Sequence, residues 1–445
     1  MTKLHDGSGH TQRPGFRSRS LLAAAALALG GTMLLQATDW PQYRGPTHDG
    51  KSSEKIPRNW PAEGLKAVWK VPTPNGFGVF SVSHGRAFTL VSREVEGTQR
   101  EILLALDAKS GKELWAYPLG LAKYDGGGDS GEEDNKGGDG PRSTPAADGD
   151  KVYALDAHLL LACVEADSGK TVWSKDLIKD FGAKNIGWQN AASPLIEGDL
   201  LYLCCGAPDG SLMALDKKTG TPVWKGESDQ MTHSSPLAAT ILGVRQVVFF
   251  TQKGLVSADA KSGKVLWRYG FPYKVSTAAS PVVSGDIVYC SAGYGVGSGA
   301  VKIAKAGDEF TATELWRESD AKNHLMNHWS TPIVKDGYLY GMFGFKEYGK
   351  GALKCVAIAT GKEMWTEANF GPAGVLLAGD ILLALNDRGQ LVMVEASPTA
   401  CKELGRSPAV AGKCWNHPVL SDGRIYVRST KEGACLELSL TAAKK

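Results

Sequence analysis

Ala105–Trp115 reads ALDAKSGKELW, and four further stretches repeat it. They are Cys163–Trp173 (CVEADSGKTVW), Ala214–Trp224 (ALDKKTGTPVW), Ser257–Trp267 (SADAKSGKVLW) and Cys355–Trp365 (CVAIATGKEMW). Lys302–Trp316 is a stretched copy that ends in ELW. The segment from Asp107 to Gly111 is a tight turn, because Asp and Ser bond nearby backbone and Gly supplies a positive φ. Strand, turn and strand make an antiparallel hairpin. The first position is always small (Ala, Cys or Ser), which lets a neighbouring sheet approach closely. The closing Trp is large enough to supply much of the adhesion between units.

The Trp residues at 69, 115, 173, 224, 267, 316 and 365 lie 43 to 58 residues apart. That period suits a four-stranded propeller blade, roughly 40–50 residues. A second motif precedes each hairpin: Ser-Pro or an equivalent, then a turn, then an apolar strand. Its eight copies begin at Ser81, Ser143, Ala192, Ser234, Ala279, Ser330, Gly374 and Asn416. The last copy reaches Cys435–Leu438 and lacks the strand that carries Trp, whereas Ala67–Val71 is such a strand with no blade before it. The expected fold is all-β: an eight-bladed β-propeller of four-stranded antiparallel blades. An N-terminal strand completes the C-terminal blade, which removes exposed sheet edges. The seventh blade is irregular, with Leu404 near the Trp place.

The 445 residues carry a formal net charge of +3, which gives no reason to expect a nucleic-acid partner. Residues 1–37 read as a secretory signal peptide: Arg13, Arg17 and Arg19, then an apolar run from Leu21 to Leu35. That run is short for a membrane span of about 20 residues. A periplasmic or extracellular, monomeric protein is expected, with no integral membrane segment after cleavage and no lipid-anchoring Cys. Residues 38–64 form an extended lead-in on one face of the ring, with Trp40, Tyr43 and Trp60 as packing anchors. The propeller occupies 65–441. A Gly/Asp-rich loop at 119–142 carries Asp125, Asp129, Glu132, Glu133, Asp134 and Asp139, without EF-hand spacing. Of the eight cysteines, Cys163, Cys355 and Cys435 occupy the small position and read as buried apolar groups. Cys401–Cys414 and the adjacent Cys204–Cys205 are candidate disulfides.

The A-x-D-x-x-[ST]-G-x-x-x-W hairpins resemble the tryptophan-docking motif of PQQ-type propellers. With DWPQYRGP at Asp39–Pro46 and GPRSTP at Gly140–Pro145, nearly all of the chain after residue 37 resembles the secreted bacterial PQQ-like β-propeller repeat proteins. It is distantly similar to the propeller lipoprotein of outer-membrane barrel assembly. The resemblance implies the fold, and implies inter-blade docking roles for Trp69, Trp115, Trp173, Trp224, Trp267, Trp316 and Trp365. Quinoprotein dehydrogenases of this fold bind pyrroloquinoline quinone (PQQ) and calcium in the funnel.

In a propeller the first strand of each blade lines the channel, so the residues entering each Ser-Pro motif are the candidates for binding. They are Arg142, Trp188, Gln189, Asn190, His233, Asn327, His328, Trp329, Asn416 and His417, with Ser276 and Thr277 beside them. This set has donors, acceptors and stacking faces but no carboxylate. It suits a sugar, a quinone or a peptide segment and lacks the acid that a quinoprotein dehydrogenase needs. The expected function is that of a non-catalytic binding or scaffold protein, for an unknown protein or a small-molecule or carbohydrate ligand, with no cofactor and no metal. The alternatives are a PQQ- and calcium-dependent oxidoreductase acting on an alcohol or sugar, and an outer-membrane protein assembly factor.

Overall fold

The computed structural model describes residues 38–124, 127–128, 138–319, 325–344, 350–371 and 374–438. The expected signal peptide at 1–37, and Asp125, Asp129 and Glu132–Asp134 of the acidic loop, lie outside the described residues.

Eight antiparallel sheets follow one another along the chain. Strands are named A to D from the first to the last in each blade. The A strands are Ser81–Ser83, Ala146–Asp148, Leu195–Glu197, Leu237–Ile241, Val282–Ser284, Ile333–Lys335, Gly374–Ala378 and Val419–Ser421. The D strands are Glu113–Leu121, Thr171–Asp176, Pro222–Gly226, Val265–Gly270, Glu309–Glu318, Glu363–Glu367, Glu403–Pro408 and, for blade 8, Ala67–Pro72. That last strand pairs antiparallel with Glu432–Glu437, Trp69 opposite Cys435, so the first D strand of the chain completes the last blade. Arg428, fully buried, secures the joint by donating to Thr89 Oγ1 and to the carbonyls of Leu90, Thr73 and Asn75. Among the described residues the one α-helix is Leu177–Phe181, and no helix is long and apolar enough to cross a membrane.

The repeat motif is explained by a row that crosses strands B, C and D. Phe88, Ala105 and Trp115 are cross-strand partners in blade 1, as are Tyr153, Cys163 and Trp173 in blade 2. The same row is Tyr202–Ala214–Trp224, Tyr289–Ala300–Trp316, Tyr340–Cys355–Trp365 and Tyr426–Cys435–Trp69. The small residue sits between two rings whose centroids lie about 6 Å apart, so a larger side chain would push them off the sheet. Each indole then leans on the next blade. Trp115 donates Nε1–H to Ala166 O at 3.0 Å and covers Gly169. A Cβ at Gly169 would lie 2.7 Å from the Trp115 ring, and its φ of +69° also demands glycine. Trp69, Trp173, Trp224, Trp316 and Trp365 donate in the same way to Ala108, Lys217, Ala260, Ile358 and Ser397.

Trp267 departs from this pattern. Its N–H goes to Gln246 Oε1 within its own blade, at 2.8 Å. Strands C and D of blade 5 run on to a turn at Gly307, so no short turn stands at the docking position. Blade 7 departs further. Its register places Gly405, not Leu404, opposite Met393 at the Trp place. There Trp60 of the lead-in fills the gap, close to both Gly405 and the core of blades 7, 8 and 1.

Both candidate disulfides are absent: all eight cysteines are free. Cys401 packs against the apolar cluster of blades 6 and 7, while Cys414 belongs to the cluster around blade 8. Burial pushes the thiols of Cys163 and Cys204 up to about 12 and those of Cys205, Cys355, Cys401 and Cys435 up to about 11, as expected for buried apolar groups.

Candidate functional site: a channel closed at one end

The Ser-Pro motif has a role distinct from the pocket. Its hydroxyl, one residue before Pro, bonds the neighbouring blade. Val79 N donates to Thr144 Oγ1, Thr144 N to Ser193 Oγ, and Ser193 N to Ser235 Oγ. Ser280 Oγ donates to Ser235 O, and Ser280 N donates to Thr331 Oγ1. This belt holds the A strands side by side around the channel and fixes where the preceding residues point.

The lead-in crosses the channel. Trp40 bridges Val82 of blade 1, Pro41 O accepts from Ala147 of blade 2, and Gln42 exchanges two bonds with Ile196 of blade 3. The chain then reaches the opposite blades. Arg44 donates to Thr331 O and Pro332 O of blade 6, and Lys51–Ser52 pairs parallel with Leu377–Ala378 as a fifth strand of blade 7. The expected lead-in on one face is therefore a crosspiece bonded to the innermost strands, and Tyr43 and Arg44 form the base of a pocket.

The pocket is about 340 Å³, at the small end of ligand sites. Arg142, Trp188, His233, His328, Trp329, Asn416 and His417 line it, together with Ser276. Gln189, Asn190 and Asn327 do not. Asn190 is fully buried and bonded to Asp156 O and to both backbone groups of Ala192. Asn327 is fully buried between Tyr289 Oη and Met342 O. Both amides satisfy backbone where the chain turns into strand A. Gln189 is half-buried beside Trp188 and outside the lining.

Three lining rings form a column: Phe77 on Trp415 at 4.6 Å and Trp415 on Trp329 at 4.2 Å between centroids. His328 and Tyr294 extend it edge-on. Sequence reasoning missed Phe77, Trp415, Tyr294 and the basal pair Tyr43 and Arg44. For Trp415 a signal existed, since it directly precedes the Asn416–His417 pair; Phe77 belongs to a loop with no repeat signature.

His233 accepts from Ser276 Oγ at Nδ1 and donates from Nε2 to Gly187 O. Burial holds both His233 and His417 down at about 4, so both rings are neutral at pH 7. Arg142 stacks on Tyr124, 3.8 Å above the ring, and donates to Trp188 O and Gly138 O. Behind it lie two fully buried carboxyl groups. Glu101 accepts from Tyr124 Oη and Ala157 N, and Asp156 accepts from Gly120, His158 and Leu160 N–H. Burial raises both, Glu101 strongly. Among the described residues no carboxylate lines the pocket, and no three His, Cys, Asp or Glu side chains converge as a metal site.

Residues 99–342 match the family described as the outer membrane protein assembly factor BamB. The chain belongs to that family. The chain is 22% identical over 302 residues to BamB of Moranella endobia, covering 64% of this chain and 69% of that protein. The solved BamB of Moraxella catarrhalis superposes with a TM-score of 0.58 at 15% identity, covering 84% of this chain and 98% of that one. The quinohemoprotein alcohol dehydrogenase of Comamonas testosteroni superposes with a TM-score of 0.63 at 14% identity, covering 90% and 80%. These likenesses establish a PQQ-like β-propeller of the BamB family and leave the chemistry of the pocket to its own residues.

Proposed function

We propose that the protein is a non-catalytic binding propeller of the bacterial cell envelope, which holds a small ligand in its blind pocket and offers its faces to protein partners. One observation carries this reading. The stacked column Phe77–Trp415–Trp329 lines a cavity whose base is built from Tyr43 and Arg44, while the neutral His233 is already engaged by Ser276 and Gly187. That arrangement offers contact area and orientation but no positioned acid–base pair. The BamB family name supports an envelope location and protein partners.

The dehydrogenase reading requires PQQ and calcium. An aromatic wall suits a planar quinone, but the donor set does not suit calcium. Hard cations take oxygen ligands, and the Glu101 and Asp156 oxygens are turned to backbone N–H groups and to Tyr124. The deciding assay loads the protein with PQQ and calcium and follows dye reduction over alcohols and aldoses. No turnover above the cofactor-free control is expected; substrate-dependent reduction would replace the binding reading with an enzymatic one.

A further inference from the structure

Arg44 and Arg142 line the same pocket, and all the hydrogen bonds of both guanidinium groups go to main-chain oxygens. Arg44, 3% exposed, donates to the carbonyls of His48, Asp49, Thr331 and Pro332. The acid beside it, Asp49, is engaged elsewhere: Oδ1 accepts from Thr47 Oγ1 and Lys51 N, and Oδ2 lies 3.1 Å from Lys51 Nζ. Arg142 donates to Trp188 O and Gly138 O. Two acids stand near it and neither lines the pocket. Asp139 accepts from Tyr124 N, and burial drives Glu101 towards its neutral form. A guanidinium has five N–H groups. Arg142 spends two of them on these bonds, which leaves three for a ligand. Burial pulls both arginines below their ordinary pKa, the response of a cation that has lost water and gained no ion pair.

The cavity therefore holds two formal positive charges. His233 and His417 are neutral, and no carboxylate in the described lining offsets the arginines. A cation is repelled there, and a neutral ligand leaves both charges without a counter-ion. An anion is attracted, and in a site shielded from water that attraction is strong. The rest of the lining selects among anions. Phe77, Trp415 and Trp329, beside Val79 and Ala278, give apolar surface that inorganic phosphate or sulfate would leave unused. A carboxylate is planar and matches the fork of a guanidinium, and an aromatic ring attached to it supplies the apolar body.

We infer that the pocket takes an aromatic acid with one or two carboxylates, a carboxylate on the unspent N–H groups of Arg142, the charge of Arg44 at the base and the ring against the Phe77–Trp415–Trp329 column. The inference rests on the binding role proposed above and names its ligand class. The cavity has room for a small aromatic ring system.

The test uses the full chain after residue 37. Tryptophan fluorescence and calorimetric titration are run with benzoate, a naphthoate and a naphthalene dicarboxylate, each beside its amide as a neutral twin. Inorganic phosphate, sulfate and PQQ form a parallel panel. The acids should bind saturably, at least about tenfold tighter than their amides, and more weakly as salt rises. Arg142→Gln should weaken the acids by at least about tenfold and leave the amides in place, a loss of discrimination that a merely structural role would not produce. The comparison of acid with amide on the unaltered chain carries the test if that variant misfolds. Amides that bind as tightly as the acids overturn the anion assignment and leave the binding role standing. Saturable binding of phosphate or sulfate with none of any aromatic acid overturns the aromatic body. PQQ brings three carboxylates to two arginines, and a marked preference for it over the dicarboxylate also overturns the assignment. Binding of none of these compounds overturns it as well, and quinone-dependent turnover removes the binding role beneath it.

Discussion

Trp115 and Trp267 occupy the same place in the repeat, yet one indole N–H reaches the next blade and the other stays at home. The sequence shows the ring and not the partner, because the partner is the turn of the following blade. Trp115→Ala is expected to cost about 3–5 kcal/mol, and Trp115→Phe, which loses the bond to Ala166 O but keeps most of the packing, about 1 kcal/mol. Both are read from urea-unfolding midpoints. Gly169→Ala should be destabilising alone and much cheaper in the Trp115→Ala background, because its Cβ collides with that ring. Additive costs in the double-mutant cycle would exclude the contact. The buried histidines make a second residue-scale prediction. His233 and His417 titrate near 4 in the folded chain and near 6.5 when unfolded. Between those values the unfolded chain binds protons that the folded chain refuses, so each histidine lowers stability as pH falls from about 6.5 towards 4. The limit is on the order of 3 kcal/mol per histidine. Glu101, raised by burial, acts in the opposite sense above about 4.5. The measurement is therefore the difference between wild type and His417→Phe: the stability gap should shift in favour of the variant as pH falls across that window, and a pH-independent gap would contradict it.

At the scale of the element, blade 7 shows where the repeat pattern stops being readable. The bulge between Met393 and Val394 is the one the other hairpins carry, but the turn that follows is two residues longer, since Met393 pairs with Gly405 where Ala105 pairs with Trp115, and a one-residue error in its length moves the Trp place to Leu404. No local pattern announces that Trp60, far away in sequence, covers that glycine. The physical reason for the exchange lies in blade 8. Its strands C and D come from opposite ends of the chain, so no short C–D turn exists there to receive an indole from blade 7. The lead-in passes through this place, with Leu65 N donating to Ser407 Oγ, and supplies the ring instead. Trp60→Ala is accordingly expected to destabilise by about 2–3 kcal/mol, less than Trp115→Ala because Trp60 has no N–H hydrogen bond to the neighbouring blade to lose. Trp188→Ala, at the exposed rim of the pocket, should stay within about 0.5 kcal/mol. Equal thermal shifts for the two variants would show that Trp60 is not part of the inter-blade packing. The same contrast explains the pocket. Arg142, His233 and Trp329 were legible because each stands near a Pro motif that fixes the start of a strand. Asn190 and Asn327 stand there too, but the backbone needs their amides.

For the whole molecule, period and chain ends carried the fold: equal spacing of Trp gives blades, and an unpaired strand at each end gives closure. The crosspiece was not legible, since residues 39–52 bond to blades 1, 2 and 7 through main-chain groups that any sequence possesses, and to blades 3 and 6 through the side chains of Gln42 and Arg44, which belong to no repeat. Ring closure and channel closure are thus separate devices in adjacent segments, and truncation separates them. A chain starting at Lys66 keeps the strand Ala67–Pro72 and the bonds of Thr73 and Asn75 to Lys431 and Thr430. It loses Tyr43, Arg44 and Trp60. Such a chain should fold to a monomer with a lowered Tm and a channel open at both ends, visible as faster hydrogen exchange at Val82, Ala147 and Leu377, whose N–H groups the lead-in now covers. A chain starting at Thr73 loses the closing strand as well. It leaves Glu432–Glu437 as a bare edge and strips Trp69 from Gly111 and Ala108. An apolar strand with unpaired backbone is a template for association, so this chain should aggregate or unfold in more than one step. If both truncations behaved alike, closure by the N-terminal strand would contribute nothing beyond the crosspiece, and the division of labour drawn here would be wrong.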